Sequence, residues 1–223
     1  MKKTIILLIF ILIFPLILFS TSCEKKLDLS KYVSDLREDV FVGESQTFSI
    51  QAHLGKREDP FIQDGKIGLI KPRLLVKIVS EFNKDTEVVA TLTFNEQNYV
   101  EKFSFNGVAN TLTATFNLDN FNLKTFDITL TFMDKSESIT LSSIKPENTL
   151  TYVKALDCLL KKQPTLIQNY LNENNQFQGE IFLRLLVNND TPYYYVGLSS
   201  NEKIVALLIH GVSGKILSIK EVF

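Results

Sequence analysis

Phe126-Asp127-Ile128-Thr129-Leu130-Thr131-Phe132 places an apolar side chain at every second step. Period two is the period of a strand, because successive side chains point to opposite faces of a pleated backbone. The stretch predicts a half-buried β-strand whose core face carries Phe126, Ile128, Leu130 and Phe132. The same alternation recurs upstream in Phe48, Ile50 and Ala52, and in Val88, Ala90, Leu92 and Phe94. Leu74, Val76 and Ile78 share one face, with Leu75 and Val79 opposite. Phe103 and Phe105 lead into Asn106-Gly107, followed by Leu112, Ala114, Phe116 and Leu118. Asn-Gly between alternating runs predicts a tight hairpin, since both residues tolerate positive φ. Ile139 and Leu141 close the series, and the charged Lys56–Gly68 stretch, with Pro60 and two glycines, reads as a long loop.

About seven short strands with turns between them predict an antiparallel β-sandwich over residues 37–145. It resembles immunoglobulin-like domains in architecture, without their buried tryptophan and paired cysteines. Composition agrees with a β-rich core: 17 Phe and 7 Tyr, with no Trp.

From Pro146 the period changes. Asn148 or Thr149 is placed to cap a helix reaching about Lys162, with Leu150, Val153, Leu156 and Leu160 on one face. Pro164 suits the first turn of a second helix carrying Leu166, Ile167, Tyr170 and Leu171. Strands are predicted over Glu180–Val187, Tyr193–Leu198, Lys203–His210 and Lys215–Val222, separated by Asn188-Asn189-Asp190, Ser199-Ser200-Asn201 and Gly211–Gly214. Helices followed by an antiparallel meander make a small α+β domain over residues 146–223.

Two stretches carry a likeness in this part: Tyr193-Tyr194-Tyr195-Val196-Gly197, and His210-Gly211-Val212-Ser213-Gly214-Lys215-Ile216-Leu217. They resemble the PepSY-like and cystatin-like α+β domains of bacterial envelope proteins, whose meander ends on an Asp-x-x-Thr-Gly-Lys/Glu-Val turn. Here Ser213 stands for the Thr and His210 for the Asp. The resemblance implies a domain that binds or inhibits other proteins and carries no catalytic residues of its own.

At the start of the chain, Lys2 and Lys3 precede an apolar run, Ile5 to Phe19, broken by Pro15. Ser20-Thr21-Ser22 and Cys23 follow. A positive start, a short apolar stretch and small residues predict a cleaved export signal over residues 1–22. The run falls short of the ~20 residues of a spanning helix. Leu18 to Cys23 resembles a bacterial lipoprotein lipobox, with Ser20 where the family has Leu. That implies lipidation of Cys23 and stable membrane anchoring through its acyl chains, with residues 23–36 as a tether beginning Glu24-Lys25-Lys26.

Removing Lys2 and Lys3 from the 24 basic and 25 acidic residues leaves 22 against 25, a mildly acidic chain. A nucleic-acid partner would need a basic stripe, and no run of like charges stands out. Cys23 and Cys158 are the two cysteines, so no disulfide framework is expected. Cys158 falls beside Thr151, Lys154 and Lys162 on the helical wheel, and a nucleophilic role would need a base such as His210. His53 reads as a solvated loop histidine, and Glu58, Asp59 and Asp64 lack the order of a calcium loop. Tyr193 and Tyr195 share a face opposite Tyr194, either as ordinary sheet surface or as an aromatic patch for a peptide or glycan.

The chain thus reads as a monomeric, lipid-anchored extracytoplasmic protein of a Gram-positive-type envelope. It is a non-catalytic module binding a protein partner or wall component, with Tyr193, Tyr195 and His210 as candidate contacts. No cofactor, metal or nucleic acid is expected. The alternatives are a surface enzyme with a site between the domains, and an accessory subunit of an envelope complex.

Overall fold

The structure is a computed structural model and describes residues 27–45, 48–62, 64–79, 86–133, 135–200 and 203–222. The export signal and Cys23 lie outside the described residues. No helix among the described residues is long and apolar enough to cross a membrane.

The fold is mostly antiparallel β. A 3-10 turn (Leu29–Tyr32) leads into β1 (Val33–Glu44), β2 (Ser49–Glu58), β3 (Ile70–Val79), β4 (Val88–Phe94), β5 (Gln97–Lys102), β6 (Ser104–Asn106), β7 (Thr111–Phe116), β8 (Thr125–Phe132) and β9 (Lys135–Ser143). Two helices follow, α1 (Tyr152–Lys162) and α2 (Pro164–Gln168). The meander β10 (Glu180–Asn188), β11 (Thr191–Ser199), β12 (Ile204–His210) and β13 (Ile216–Val222) closes the described chain.

Among the described residues, the thirteen strands belong to one sheet, which branches at β1. One edge of β1 pairs with β2. The other is divided: Val33 to Arg37 pair in parallel with β10, while Phe41 and Val42 pair with β9. Two register shifts, between Val33 and Asp35 and between Arg37 and Asp39, let one strand serve both directions. Leu29–Leu36, expected within a tether, therefore form the 3-10 turn and the start of the central strand. Val33 and Leu36 are buried. Their run of mixed polar residues hides the strand, because Asp35 and Arg37 sit in its middle.

The path β6–β7–β3–β2–β1–β9–β8–β4–β5 curls until β5 and β7 approach one another, so the sheet nearly closes as a barrel. Its concave side holds one core, including Phe41, Ile50, Leu74, Leu92, Phe116, Phe126, Ile128 and Leu130. The alternating residues that predicted these strands supply it. A second core joins Leu36 and Val40 of β1 to Leu156 and Leu159 of α1, Leu183 of β10 and Tyr194 of β11.

Local differences from the sequence reading have local causes. β5 was not expected: Asn95 and Glu96 form a two-residue turn at φ 50° and 63° without any glycine. The Asn106-Gly107 hairpin forms, but its loop runs from 107 to 110 and Asn110 takes the positive φ, at 50°. Asn106 Oδ1 instead accepts the Val108 and Ala109 N–H groups, both at 3.1 Å. β2 runs on through Lys56, Arg57 and Glu58, where a loop was expected. Thr151, not Asn148 or Thr149, caps α1 by accepting the Lys154 N–H at 3.3 Å. The helix buries Ala155, Leu156 and Leu159, while Val153 is left exposed.

Candidate functional site

Strand register assembles the most unusual surface of the molecule. Arg73 on β3, Gly55 on β2, Arg37 on β1, Arg184 on β10, Tyr195 on β11 and Leu208 on β12 are successive partners across six strands. Residues paired across a ladder share a face. This row lies on the side of the sheet opposite both cores, since its neighbours Leu54, Leu74, Leu36, Leu183 and Tyr194 point the other way. The adjoining row reads Lys71, Arg57, Asp35, Phe182, Gly197. A basic stripe that no run of like charges announced is built by pairing, from arginines far apart in the chain.

Asp35 is 1% exposed and holds two of these cations. Arg73 Nη2 donates to its Oδ1 at 2.8 Å, and Arg184 Nη2 to its Oδ2 at 3.2 Å. Among the described residues, Arg37 and Arg57 have no carboxylate hydrogen bond of this kind. The guanidinium of Arg57 lies 3.6 Å from the centroid of the Phe61 ring. Phe61 in turn meets Phe182 edge-on at 5.9 Å. The Nε atoms of Arg37, Arg57 and Arg184 are buried without a hydrogen-bond partner among the described residues.

The electrostatics follow from this excess. Burial, followed by repulsion from Arg184, brings Arg37 down to about 10. Burial also lowers Arg73, against the opposing pull of Asp35, and lowers Lys77 with help from Arg37 and Arg184. Arg37, Arg57, Arg73 and Arg184 thus gather about Asp35, and Lys77 feels the charges of Arg37 and Arg184 from further along the face. At the edge of the stripe, Lys71 pairs with Asp59. A cavity of about 240 Å³ opens there, lined by Arg57, Arg73, Lys71, Phe61, Thr115 and Asn117, with Glu58 and Asp59 on its wall. Glu58 Oε1 accepts the Gly68 N–H, and its Oε2 is buried without a hydrogen-bond partner among the described residues.

His53 is in the middle of β2 and only 7% exposed, so the solvated loop histidine expected from sequence is corrected. Burial, then the charges of Arg37 and Lys77, pushes His53 down to about 3, so the ring is neutral. Its Nε2–H donates to Gln51 Oε1 at 3.1 Å. Among the described residues, no three His, Cys, Asp or Glu side chains are placed to hold a metal ion.

The residues chosen from sequence lie on the same outer face. Tyr193 pairs with His210 across β11 and β12, the rings 5.8 Å apart and edge-on, and Tyr195 is the partner of Arg184. Both tyrosines are half-buried, whereas Tyr194 is fully buried and donates to the Leu150 carbonyl at 2.6 Å. His210 Nδ1 accepts the Val212 and Ser213 N–H groups at 3.2 and 3.3 Å. That is the bond an Asp carboxylate makes in a turn of this kind. Gly214 closes the turn at φ +63°, and the Cys158 thiol packs against it. Cys158 therefore faces the turn from the helix side, and His210 is already engaged with that turn's backbone. The arginines were missed because their sequence neighbours are unremarkable; only their shared register marks them. Comparisons of the chain with protein-family models, curated proteins and solved structures give no match.

Proposed function

We propose that the chain is a lipid-anchored, extracytoplasmic binding protein of the cell envelope, with no catalytic role, that engages its partner through the outer face of the sheet. In this reading the curled β1–β9 region is an immunoglobulin-like sandwich and the helices with β10–β13 are a PepSY-like unit. The His210–Gly214 turn supports the second likeness, since His210 accepts the backbone N–H groups that the family's Asp would take. The export signal and Cys23 support the anchoring.

One observation carries the binding reading. Tyr195 is the registered neighbour of Arg184, so half-buried aromatic rings and an excess of arginines form one continuous surface. Tyr and Arg are the residues that anchor protein interfaces, through large rigid area and planar multi-donor contacts. The groups converging here are arginines in excess of the carboxylates Asp35, Glu58 and Asp59, a set suited to holding an anion rather than to moving a proton.

The test is cross-linking capture from cell envelopes with the full lipidated chain and with a Tyr193→Ala/Tyr195→Ala variant. A partner captured by the first and lost by the second is expected. Equal capture by both would remove the face from the reading. Separately, Cys23→Ala should abolish membrane retention at the processed mass, and unchanged retention would defeat the lipid anchor.

A further inference from the structure

We propose that the arginine row formed by Arg73, Arg37 and Arg184, together with Arg57 beside it, binds a phosphoryl-type oxyanion. The inference rests on the reading of this face as the binding face and narrows its ligand to an anionic group.

Three features of the geometry lead there. Charge is the first. A half-buried cation is costly unless it is paired, and Arg37, Arg57, Arg73 and Arg184, with Lys71 at the edge, outnumber the carboxylates beside them, Asp35, Glu58 and Asp59. Arg73 and Arg184 each donate to one oxygen of the Asp35 carboxylate, while Arg37 and Arg57 make no hydrogen bond to it among the described residues. Donor supply is the second. The Nε–H groups of Arg37, Arg57 and Arg184 are buried and unpaired among the described residues. A planar guanidinium offers its donors as a fork that fits two oxygens at once.

Space is the third. A cavity of about 240 Å³ opens at the edge of the row, lined by Arg57, Arg73 and Lys71 together with Glu58 and Asp59. Several converging forks suit a group with three or four oxygens better than a carboxylate with two. A phosphoryl group on a lipid head, on a polymer or free in solution has that chemistry.

Arg37 and Arg57 separate a ligand site from a structural ion cluster. If the cations were there for stability, Arg37→Gln or Arg57→Gln would weaken the fold. If they wait for an anion, each substitution relieves repulsion and leaves the unliganded fold as stable as before or more so.

The experiment uses the full chain in detergent, titrated with inorganic pyrophosphate and followed by thermal unfolding and calorimetry. Sodium chloride at matched ionic strength is the control. A saturable rise in Tm with pyrophosphate beyond the salt control is expected, since a ligand that binds the folded state stabilises it by mass action. Arg37→Gln and Arg57→Gln should keep the unliganded Tm at or above that of the parent and bind pyrophosphate at least tenfold more weakly. Arg57→Lys, which keeps the charge but loses the fork, should recover only part of that loss.

Flotation with phosphatidylglycerol vesicles, against phosphatidylcholine alone, identifies the source. Binding to both pyrophosphate and the anionic vesicles supports a lipid headgroup, and binding to pyrophosphate alone supports a soluble or polymer-borne phosphate. No shift beyond the salt control overturns the proposal, as does unchanged pyrophosphate affinity in both glutamine variants. Capture of an envelope partner without pyrophosphate binding would overturn this site and leave the binding face standing. Pyrophosphate binding with no partner captured would do the reverse.

Discussion

Arg73 donates to Asp35 at 2.8 Å although the two residues are 38 positions apart, and the carboxylate they share with Arg184 is 1% exposed. This contact ties β3 to β1, while the bond from Arg184 ties β10 to β1 from the other side. Asp35→Asn keeps the shape and removes the charge that both guanidinium groups need. Breaking a buried pair by removing one partner costs about 3–5 kcal/mol. Urea unfolding of Asp35→Asn should show a loss of that order, and a loss below about 1 kcal/mol would mean that solvent already balances the arginines.

Gly55 of β2 lies against the backbone of β1. A Cβ built there would sit 1.8 Å from the Leu36 carbonyl oxygen and 3.0 Å from Arg37 Cα. Backbone cannot swing aside as a side chain does, so Gly55→Ala must part the two strands or shift the β1 bulge. A cost of about 1–3 kcal/mol or more is expected from such overpacking. Gly107→Ala is the control, since its nearest neighbour is a Phe105 ring atom at 3.7 Å, and it should change stability by less than about 0.5 kcal/mol.

Tyr194 joins the meander to the start of α1. Its ring is fully buried among apolar side chains, and its hydroxyl meets the Leu150 carbonyl at 2.6 Å. Burial pushes the phenol up, so it remains a donor well into alkaline solution. Tyr194→Phe keeps the ring and orphans the carbonyl, at a cost of about 1–3 kcal/mol. Thermal unfolding measures it, and an unchanged Tm would show that another donor replaces the phenol.

His53 gives stability a pH dependence with a definite sign. Folded, burial and nearby cations hold it at about 3, whereas an unfolded chain protonates its histidines near 6.5. Between those values the unfolded state binds the extra proton, so stability rises with pH. The contribution is complete above about 6.5 and is lost as pH falls toward 3, with a slope of at most about 1.4 kcal/mol per pH unit. His53→Gln should flatten that part of the stability curve, and an equal slope in both proteins would assign the acid loss to other groups.

His210 tests the turn that carries the PepSY likeness. His210→Asp should hold the Val212 and Ser213 N–H groups as the imidazole does, leaving stability within about 1 kcal/mol of the parent. His210→Ala removes the acceptor and should cost about that much or more. A larger loss in the Asp variant than in the Ala variant would argue against an Asx-type turn.

Strands whose core residues alternate were legible in the chain, because period two maps directly onto the two faces of a sheet. Phe126 to Phe132 became β8 with Phe126, Ile128 and Leu130 buried, and the four meander strands fell within two residues of their expected ends. β1 was illegible for the opposite reason. It is flanked on both edges, so its polar residues, Ser34, Asp35 and Asp39, are buried by neighbours that arrive from elsewhere in the chain. Tyr193, Tyr195 and His210 could be chosen because they sit together in one hairpin.

The sequence alone determined the β-rich character, the order of strands and helices after Pro146, and the separation of Tyr194 from Tyr193 and Tyr195. Each depends on periodicity within a few residues. Tertiary structure decided that one strand, β1, serves both halves of the sheet, that His53 is buried, and that Arg37, Arg57, Arg73 and Arg184 converge. Charges at those four positions meet only through cross-strand register, a long-range property that bulges at Asp35 and Asp39 set and that no local pattern encodes.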